Sequence, residues 1–287
     1  MSLAQKIKEL ICAGYSGIWV ESQESNEAIK ELCQMAEEKQ WPLSVWDIDR
    51  QIDGQAIAPG PVQALRWLDT PAVKSKPSQI LVLKNFHRYM PNPEVLQVLQ
   101  NRVEHGKSCG QYIVIVSPVL QLQPEVEKLF TVVHHELPSP EPLKKMVTQL
   151  IRENNYPPQD EGTIDTAVKA AGGMTRTEAE NAFAFSLTVN KKLDPEVIWN
   201  FKAQALEKAG TLSLYRGDAS FEGLGGLENL KQFCLRAMRR QGDADSEKRP
   251  RGVLLLSPPG CGKSQFAKAL GNEVGRPTVM LDFGSLM

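Results

Sequence analysis

The chain has almost no net charge: 33 Lys and Arg stand against 34 Asp and Glu, a formal balance of −1 at neutral pH. That parity excludes the broad field that draws a protein to nucleic acid or to an anionic membrane surface. Long hydrophobic runs are missing as well. The longest uninterrupted apolar stretches are strand-sized, short of the roughly 20 residues that a bilayer crossing needs. A signal peptide is not the pattern at the start. Met1 to Ala13 sets Leu3, Ile7, Leu10 and Ile11 at helical spacing among the mixed charges of Lys6, Lys8 and Glu9, which reads as a surface helix. Cysteines are few and unpaired in spacing. The five (Cys12, Cys33, Cys109, Cys234 and Cys261) are an odd number that suits a reducing compartment rather than a disulfide framework. The adjacent histidines, His134 and His135, have no Cys or carboxylate at ligand spacing, so they read as strand-end packing rather than a metal site.

What is present is ordinary globular material: 287 residues, 41% hydrophobic, enough for about two domains. From the start, short apolar runs alternate with helical patterns. Residues 17–20, 43–48, 79–83, 112–116 and 131–133 read as strands, with helices over 26–39, 62–68 and 93–104 between them. This alternation predicts an α/β domain over 1–137, built on a parallel sheet with helices on both faces.

Such sheets bind ligands outside the carboxyl ends of their strands, and here that edge lacks nucleotide motifs. After the first strand comes Glu21-Ser22-Gln23-Glu24-Ser25-Asn26, without Gly or Lys and with two carboxylates that repel a polyphosphate. After residues 80–83 come Lys84 and Asn85, where a nucleotidase places an acidic pair. The strand 112–116 runs into Ser117-Pro118. Two readings follow: a divergent active site using Lys84, His87 and Glu21, or a scaffold domain that keeps the fold without the chemistry. The second is preferred, because fold alone implies no function.

From Pro138 the pattern turns helical. Residues 143–152, 163–171, 177–190 and 195–209 read as helices, with Thr175 or Thr177 as the cap of the third, so 138–210 forms a small helical bundle. A linker over 211–220 and a helix over 228–238 follow. Residues 241–251, charged and without large apolar side chains, read as a solvated loop. The interleaving of Arg239, Arg240, Arg249 and Arg251 with Asp243, Asp245 and Glu247 argues against nucleic-acid binding.

The chemistry concentrates near the end. Ser257-Pro258-Pro259-Gly260-Cys261-Gly262-Lys263-Ser264 follows an apolar run, Val253 to Leu256, and precedes a helical stretch over 265–274. Strand, Gly-rich turn and helix N-terminus in that order form a phosphate-binding loop. Backbone N–H groups and the positive end of the helix dipole hold phosphate oxygens. Gly260 and Gly262 let the main chain curl closely, Lys263 supplies a point charge for the β- and γ-phosphates, and Ser264 offers a hydroxyl to Mg²⁺. Cys261 packs as a small side chain. Ser257 stands where the usual pattern has Gly.

Together with Gly225-Gly226-Leu227-x-x-Leu230-Lys231 ahead of the loop, these features resemble the AAA-type ATPases. The chain is similar to the uncharacterised hypothetical-reading-frame AAA family of cyanobacteria and plastids. The resemblance implies a degenerate AAA-like domain over 1–137, a helical lid over 138–210, and the start of a second AAA domain over 221–287. It implies ATP and Mg²⁺ as cofactors, Leu224 and Gly225 beside the adenine, Ser264 on the metal, and hydrolysis that drives protein remodelling in a homo-oligomeric ring. No nucleic acid or membrane partner is expected, and the compartment is the cytoplasm or the plastid stroma.

By the same resemblance the acidic Walker B pair, sensor, arginine finger and second lid lie beyond Met287. The chain then reads as a truncated or partial product, with Val253–Leu256 and residues 278–281 deprived of their native strand neighbours. The alternative is a non-enzymatic interaction module carrying an incomplete nucleotide site.

Overall fold

In the computed structural model, which describes residues 2–74, 78–208, 212–215, 217–239, 252–274 and 278–281, the chain divides into two compact units. The first comprises residues 1–158 with 172–181, and the second 159–171 with 182–287.

The first unit begins with α1 (Leu3–Cys12), β1 (Gly17–Glu21), α2 (Ser25–Lys39), β2 (Leu43–Asp47) and β3 (Gln51–Ile52). It continues with α3 (Pro61–Trp67), α4 (Pro71–Lys74), β4 (Gln79–Lys84), α5 (Pro93–Cys109), β5 (Gln111–Ser117), β6 (Phe130–His134) and α6 (Pro140–Glu153). Its strands form one sheet in the order β3-β2-β4-β5-β1-β6, parallel throughout except for the short edge strand β3. The two-residue β3 pairs Ile52 with Trp46 and was not legible as a strand, since two residues carry no periodicity.

Successive strand residues face opposite sides, and both sides are apolar here. Ile18, Val20, Ile80, Val82, Val114 and Val116 pack with α1 and α2 on one face. Trp19, Leu81, Leu83, Ile113 and Ile115 pack with α3 and α5 on the other. Helices therefore cover both faces, as the alternating pattern predicted. Each fully buried large apolar side chain contributes about 1.5–3 kcal/mol. Trp46 is fully buried, donates its indole N–H to the Ala58 carbonyl at 2.9 Å, and meets Phe86 and Tyr89 edge-on at 5.7 and 5.9 Å.

Two features set how closely the layers approach. A Cβ on Gly17, at the head of β1, would lie 2.6 Å from the Leu129 carbonyl oxygen, so only glycine fits. Helix α5 runs five residues beyond its expected end. Asn92 caps its start by accepting from the N–H groups of Glu94 and Val95, and Gly110 ends it at φ 67°.

The second unit holds α7 (Glu161–Ala171), the later part of α8 (Arg176–Asn190), α9 (Pro195–Lys208), β7 (Leu212–Tyr215), α10 (Glu228–Arg239), α11 (Lys263–Glu273) and β8 (Thr278–Leu281). Phe183, Leu187 and Ile198 are fully buried, and Phe185 meets Phe201 edge-to-face at 5.1 Å. The start of α8, which belongs to the first unit, resolves the capping alternatives in favour of Thr175. The Glu178 N–H donates to its hydroxyl at 3.2 Å, while the Thr175 N–H donates to the Glu178 carboxylate at 2.9 Å, a reciprocal capping box.

Two expectations are corrected in this unit. Val253–Leu256 does not form a strand: it is assigned no ladder partner among the described residues, and Leu254 and Leu256 are 82% and 85% exposed. An apolar run becomes a strand only when a neighbour supplies its hydrogen bonds, and none of the described residues does so here. Residues 278–281 were expected to lack a neighbour, yet they pair antiparallel with β7, Leu212 opposite Leu281 and Tyr215 opposite Thr278. The segment read as linker thus carries a strand, because Leu-Ser-Leu-Tyr can alternate on a ladder as well as link. Residues 240–251, expected as a solvated loop, lie outside the described residues.

Candidate functional site

The loop 257–264 is delivered by the extended run 252–256 and opens directly into α11. Gly260 and Gly262 sit at φ 82° and 77°, left-handed backbone that a side chain adopts only at a cost. A Cβ on either would meet nothing within 4 Å, so conformation and not crowding makes these positions glycine. Gly262 is the N-cap of α11, and no side chain caps it. The N–H groups of the first turn have no intrahelical acceptor and are left to an external anion at the positive end of the helix dipole.

Lys263 is the first residue of α11, and its ammonium turns back over the loop. It donates to the Ser257 carbonyl at 2.8 Å, the Pro258 carbonyl at 2.9 Å and the Ser257 hydroxyl at 3.1 Å. Ser264 and Cys261 are exposed, and Pro258 and Pro259 form the exposed crest of the loop. The residues present fit a polyphosphate: free N–H donors, one cation and one hydroxyl converge on a single helix end. Ser264 is the residue that would take a place on Mg²⁺.

The segment before α10 is tied to the far side of α11. Phe221 stacks on the buried Phe266 at 5.5 Å and 21°, and its N–H donates to the Glu273 carboxylate at 3.1 Å. The Asn272 amide donates to the carbonyls of Gly217 and Ala219, both at 2.9 Å. Lys231 gathers the carbonyls of Phe221 at 3.1 Å and Leu224 at 2.5 Å. Beside the loop lies a cavity of about 460 Å³ walled by Leu227, Leu230, Leu254, Leu256 and Phe266, with Lys263 at its rim. Leu224 and Gly225 are not among its lining residues. Leu227 and Leu230 are.

In the first unit, the carboxyl edge of the sheet is occupied by its own side chains. Glu21 pairs with His134 Nδ1 at 2.7 Å. Ser22, buried, accepts the Glu24 N–H at 3.0 Å and lies 2.7 Å from His135 Nδ1, whose other ring nitrogen is 3.6 Å from Glu31. The Glu24 carboxylate accepts the N–H of Thr177 at 3.0 Å. Lys84 donates to the Asn26 side chain at 2.7 Å. A cleft of about 1010 Å³ opens at this edge, with Lys84, His87, Arg50, Arg88, Asp47 and Glu180 on its walls. It brings together two of the three residues of the divergent-site reading, and Glu21 does not line it. His87 is 5% exposed, and desolvation, reinforced by Arg88, holds its imidazole below the ordinary value. The adjacent histidines thus make strand-end pairs, and no group of three or more potential metal ligands occurs among the described residues.

Residues 3–135 match the family model of the N-terminal domain of SpoVK-like AAA ATPases, and residues 141–209 match that of their second domain. The chain is 26% identical to the uncharacterized AAA domain-containing protein ycf46 of Guillardia theta over 240 residues, which covers 82% of this chain and 47% of that protein. Against ycf46 of Gracilaria tenuistipitata var. liui the identity is 26% over 240 residues, covering 79% and 47%. The chain spans about half the length of the curated relatives it matches. Among solved structures, a RuvB variant of Thermotoga maritima is similar at 14% identity and a TM-score of 0.46, over 96% of this chain and 80% of that one. No helix among the described residues is long and apolar enough to cross a membrane.

Proposed function

Because the chain belongs to the SpoVK-like AAA ATPase family, we infer that its nucleotide is ATP with Mg²⁺, bound at residues 257–264. The observation that carries this reading is the convergence on the start of α11. Gly260 and Gly262 hold left-handed backbone, an uncapped first turn presents its N–H groups, and Lys263 and Ser264 follow at once. The loop backbone and Lys263 bind the phosphates, and the Ser264 hydroxyl takes the metal. Mg²⁺ held through Ser264 would supply charge neutralisation at the transferring phosphoryl group, and Lys263 would add a point charge.

In the whole protein this site hydrolyses ATP to drive protein remodelling in a homo-oligomeric ring, in the cytoplasm or plastid stroma. Residues 1–137 act there as a degenerate AAA-like domain, 138–210 as its lid, and 221–287 as the start of the catalytic domain.

A second reading has its own observation. Glu21, Glu24 and Lys84 are all engaged with neighbours at the sheet edge where a nucleotide would sit. This favours the first unit as a protein-interaction module whether or not the loop is active.

Calorimetric titration of the chain with Mg·ATP, beside Lys263→Ala, tests the main reading. Saturable binding that disappears in the variant supports it. Binding unchanged in the variant refutes the assignment of Lys263 to phosphate.

A further inference from the structure

Ser257 departs from the phosphate-loop pattern, and the structure shows what its hydroxyl does. Lys263 is engaged by three oxygens of the loop: the Ser257 carbonyl, the Pro258 carbonyl and Ser257 Oγ, at 2.8, 2.9 and 3.1 Å. A glycine at 257 supplies the first of these and has no hydroxyl to supply the third. Ser257 Oγ itself donates to the Pro258 carbonyl at 3.4 Å, which turns its lone pairs to the ammonium. Hydroxyl, ammonium and carbonyl thus close a small ring across the loop.

For Lys263 to reach a phosphate it must leave these acceptors. Each bond from a charged donor that has to be broken first subtracts from the binding free energy. A loop with one more acceptor for its own lysine is therefore held further towards the empty form.

We propose that Ser257 is a positioning residue that latches Lys263 in the nucleotide-free loop and thereby weakens nucleotide binding. The proposal rests on the reading of 257–264 as the ATP site, and it makes an unusual demand. Removing a polar contact of the site must tighten binding, whereas a residue with a merely structural role loosens binding when it is replaced. Ser257 lies outside the left-handed region of the backbone, so alanine takes its place without strain and removes Oγ alone. Threonine keeps the hydroxyl and serves as the conservative variant.

Two measurements on the 287-residue chain test this. In the first, Mg·ATP is titrated into wild type, Ser257→Ala, Ser257→Thr and Lys263→Ala. The expected result is a dissociation constant lower by roughly threefold to tenfold for Ser257→Ala, the loss of one partly exposed charged hydrogen bond. Ser257→Thr stays near wild type, and Lys263→Ala binds nothing. If Ser257→Ala binds equally or more weakly while Lys263→Ala is dead, the latch is wrong and the ATP site stands. If Lys263→Ala binds like wild type, the ATP-site reading fails and the proposal fails with it.

The second measurement needs no nucleotide. The apo protein is acylated with an amine-reactive ester, and modification of Lys263 is followed by mass spectrometry. An amine held by one acceptor fewer is freer to meet the ester, so Lys263 should label several-fold faster in Ser257→Ala than in wild type or Ser257→Thr. Equal labelling rates in all three overturn the latch, whatever the titrations give.

Discussion

Leu254 and Leu256 offer a direct test of how the second unit is held together. The pair is 82% and 85% exposed, so less than a fifth of either residue is out of water. Complete burial of a leucine is worth about 1.5–3 kcal/mol, and a fifth of that is about 0.3–0.6 kcal/mol. Leu254→Ala and Leu256→Ala should therefore each cost about half a kilocalorie per mole or less. Phe266, on the helix that follows the loop, is 2% exposed and stacked on Phe221. Its replacement by alanine should cost about 3–5 kcal/mol, which provides an internal standard within the same unit.

The assay is local, because four of the five tryptophans (Trp19, Trp41, Trp46 and Trp67) lie in the first unit and dominate fluorescence. Hydrogen exchange of α11 amides, read peptide by peptide, reports the opening free energy of the helix directly. Phe266→Ala should accelerate exchange by orders of magnitude, and the two leucine variants should leave it within about threefold of wild type. Acceleration by Leu254→Ala comparable to that by Phe266→Ala would mean that the run 253–256 is packed between strands in solution, and the exposed description of it would be refuted. The same exposure makes this stretch adhesive, since an unpaired apolar strand is a template for association. Leu254→Lys with Leu256→Lys should reduce light scattering at high protein concentration without moving α11 exchange.

Other expectations are local. In Gly106→Ala the added methyl meets the Gln111 carbonyl oxygen and, at 3.1 Å, the Ser16 Cβ. The overpacking should lower the stability of the first unit by about 1–3 kcal/mol in urea denaturation. Thr175→Ala removes one half of the capping box of α8 and should cost about 1 kcal/mol. Burial pushes the Asp69 carboxyl up, but hydrogen bonds from Lys74 and Arg102 and their charges outweigh it and hold it below its ordinary 3.8. A lowered folded-state pKa contributes stability that is present above 3.8 and is lost as pH falls through the folded value. The gap in stability between wild type and Asp69→Asn, followed by acid titration, should be constant above about pH 5 and close at lower pH.

The parallel sheet was readable because its strands are buried on both faces and appear as short β-branched runs, Ile80 to Leu83 and Ile113 to Val116 being the plainest. Helices were readable from their apolar spacing, and their ends less so. The extension of α5 to Cys109 depends on Gly110 adopting left-handed backbone, which a glycine permits without announcing. Failures fell where pairing decides the outcome. Val253 to Leu256 has strand composition and no ladder partner among the described residues, whereas 212–215 was read as linker and found a partner in 278–281. Strand propensity is a statement about fit to a pleated, half-buried surface, and a chain segment cannot state whether that surface will be supplied.

The candidate site shows the same division. The eight residues from Ser257 to Ser264 stand out by type and spacing as a candidate phosphate loop, because holding phosphate needs glycine backbone, a lysine and a hydroxyl in a fixed order. The direction in which Lys263 turns was not, because it depends on which acceptors come within reach once the loop has closed. The two regions make the contrast physical. At the first, Glu21, Glu24 and Lys84 have found His134, the Thr177 N–H and Asn26, so a ligand there must compete with contacts that hold the fold. At the second, the first-turn N–H groups of α11 have no side-chain cap, and a ligand completes bonds instead of replacing them. Lys263 alone must exchange partners there. On the proposed reading, the acceptors it leaves behind set how tightly the loop binds, and the Ser257 hydroxyl is the one among them that a different residue would remove.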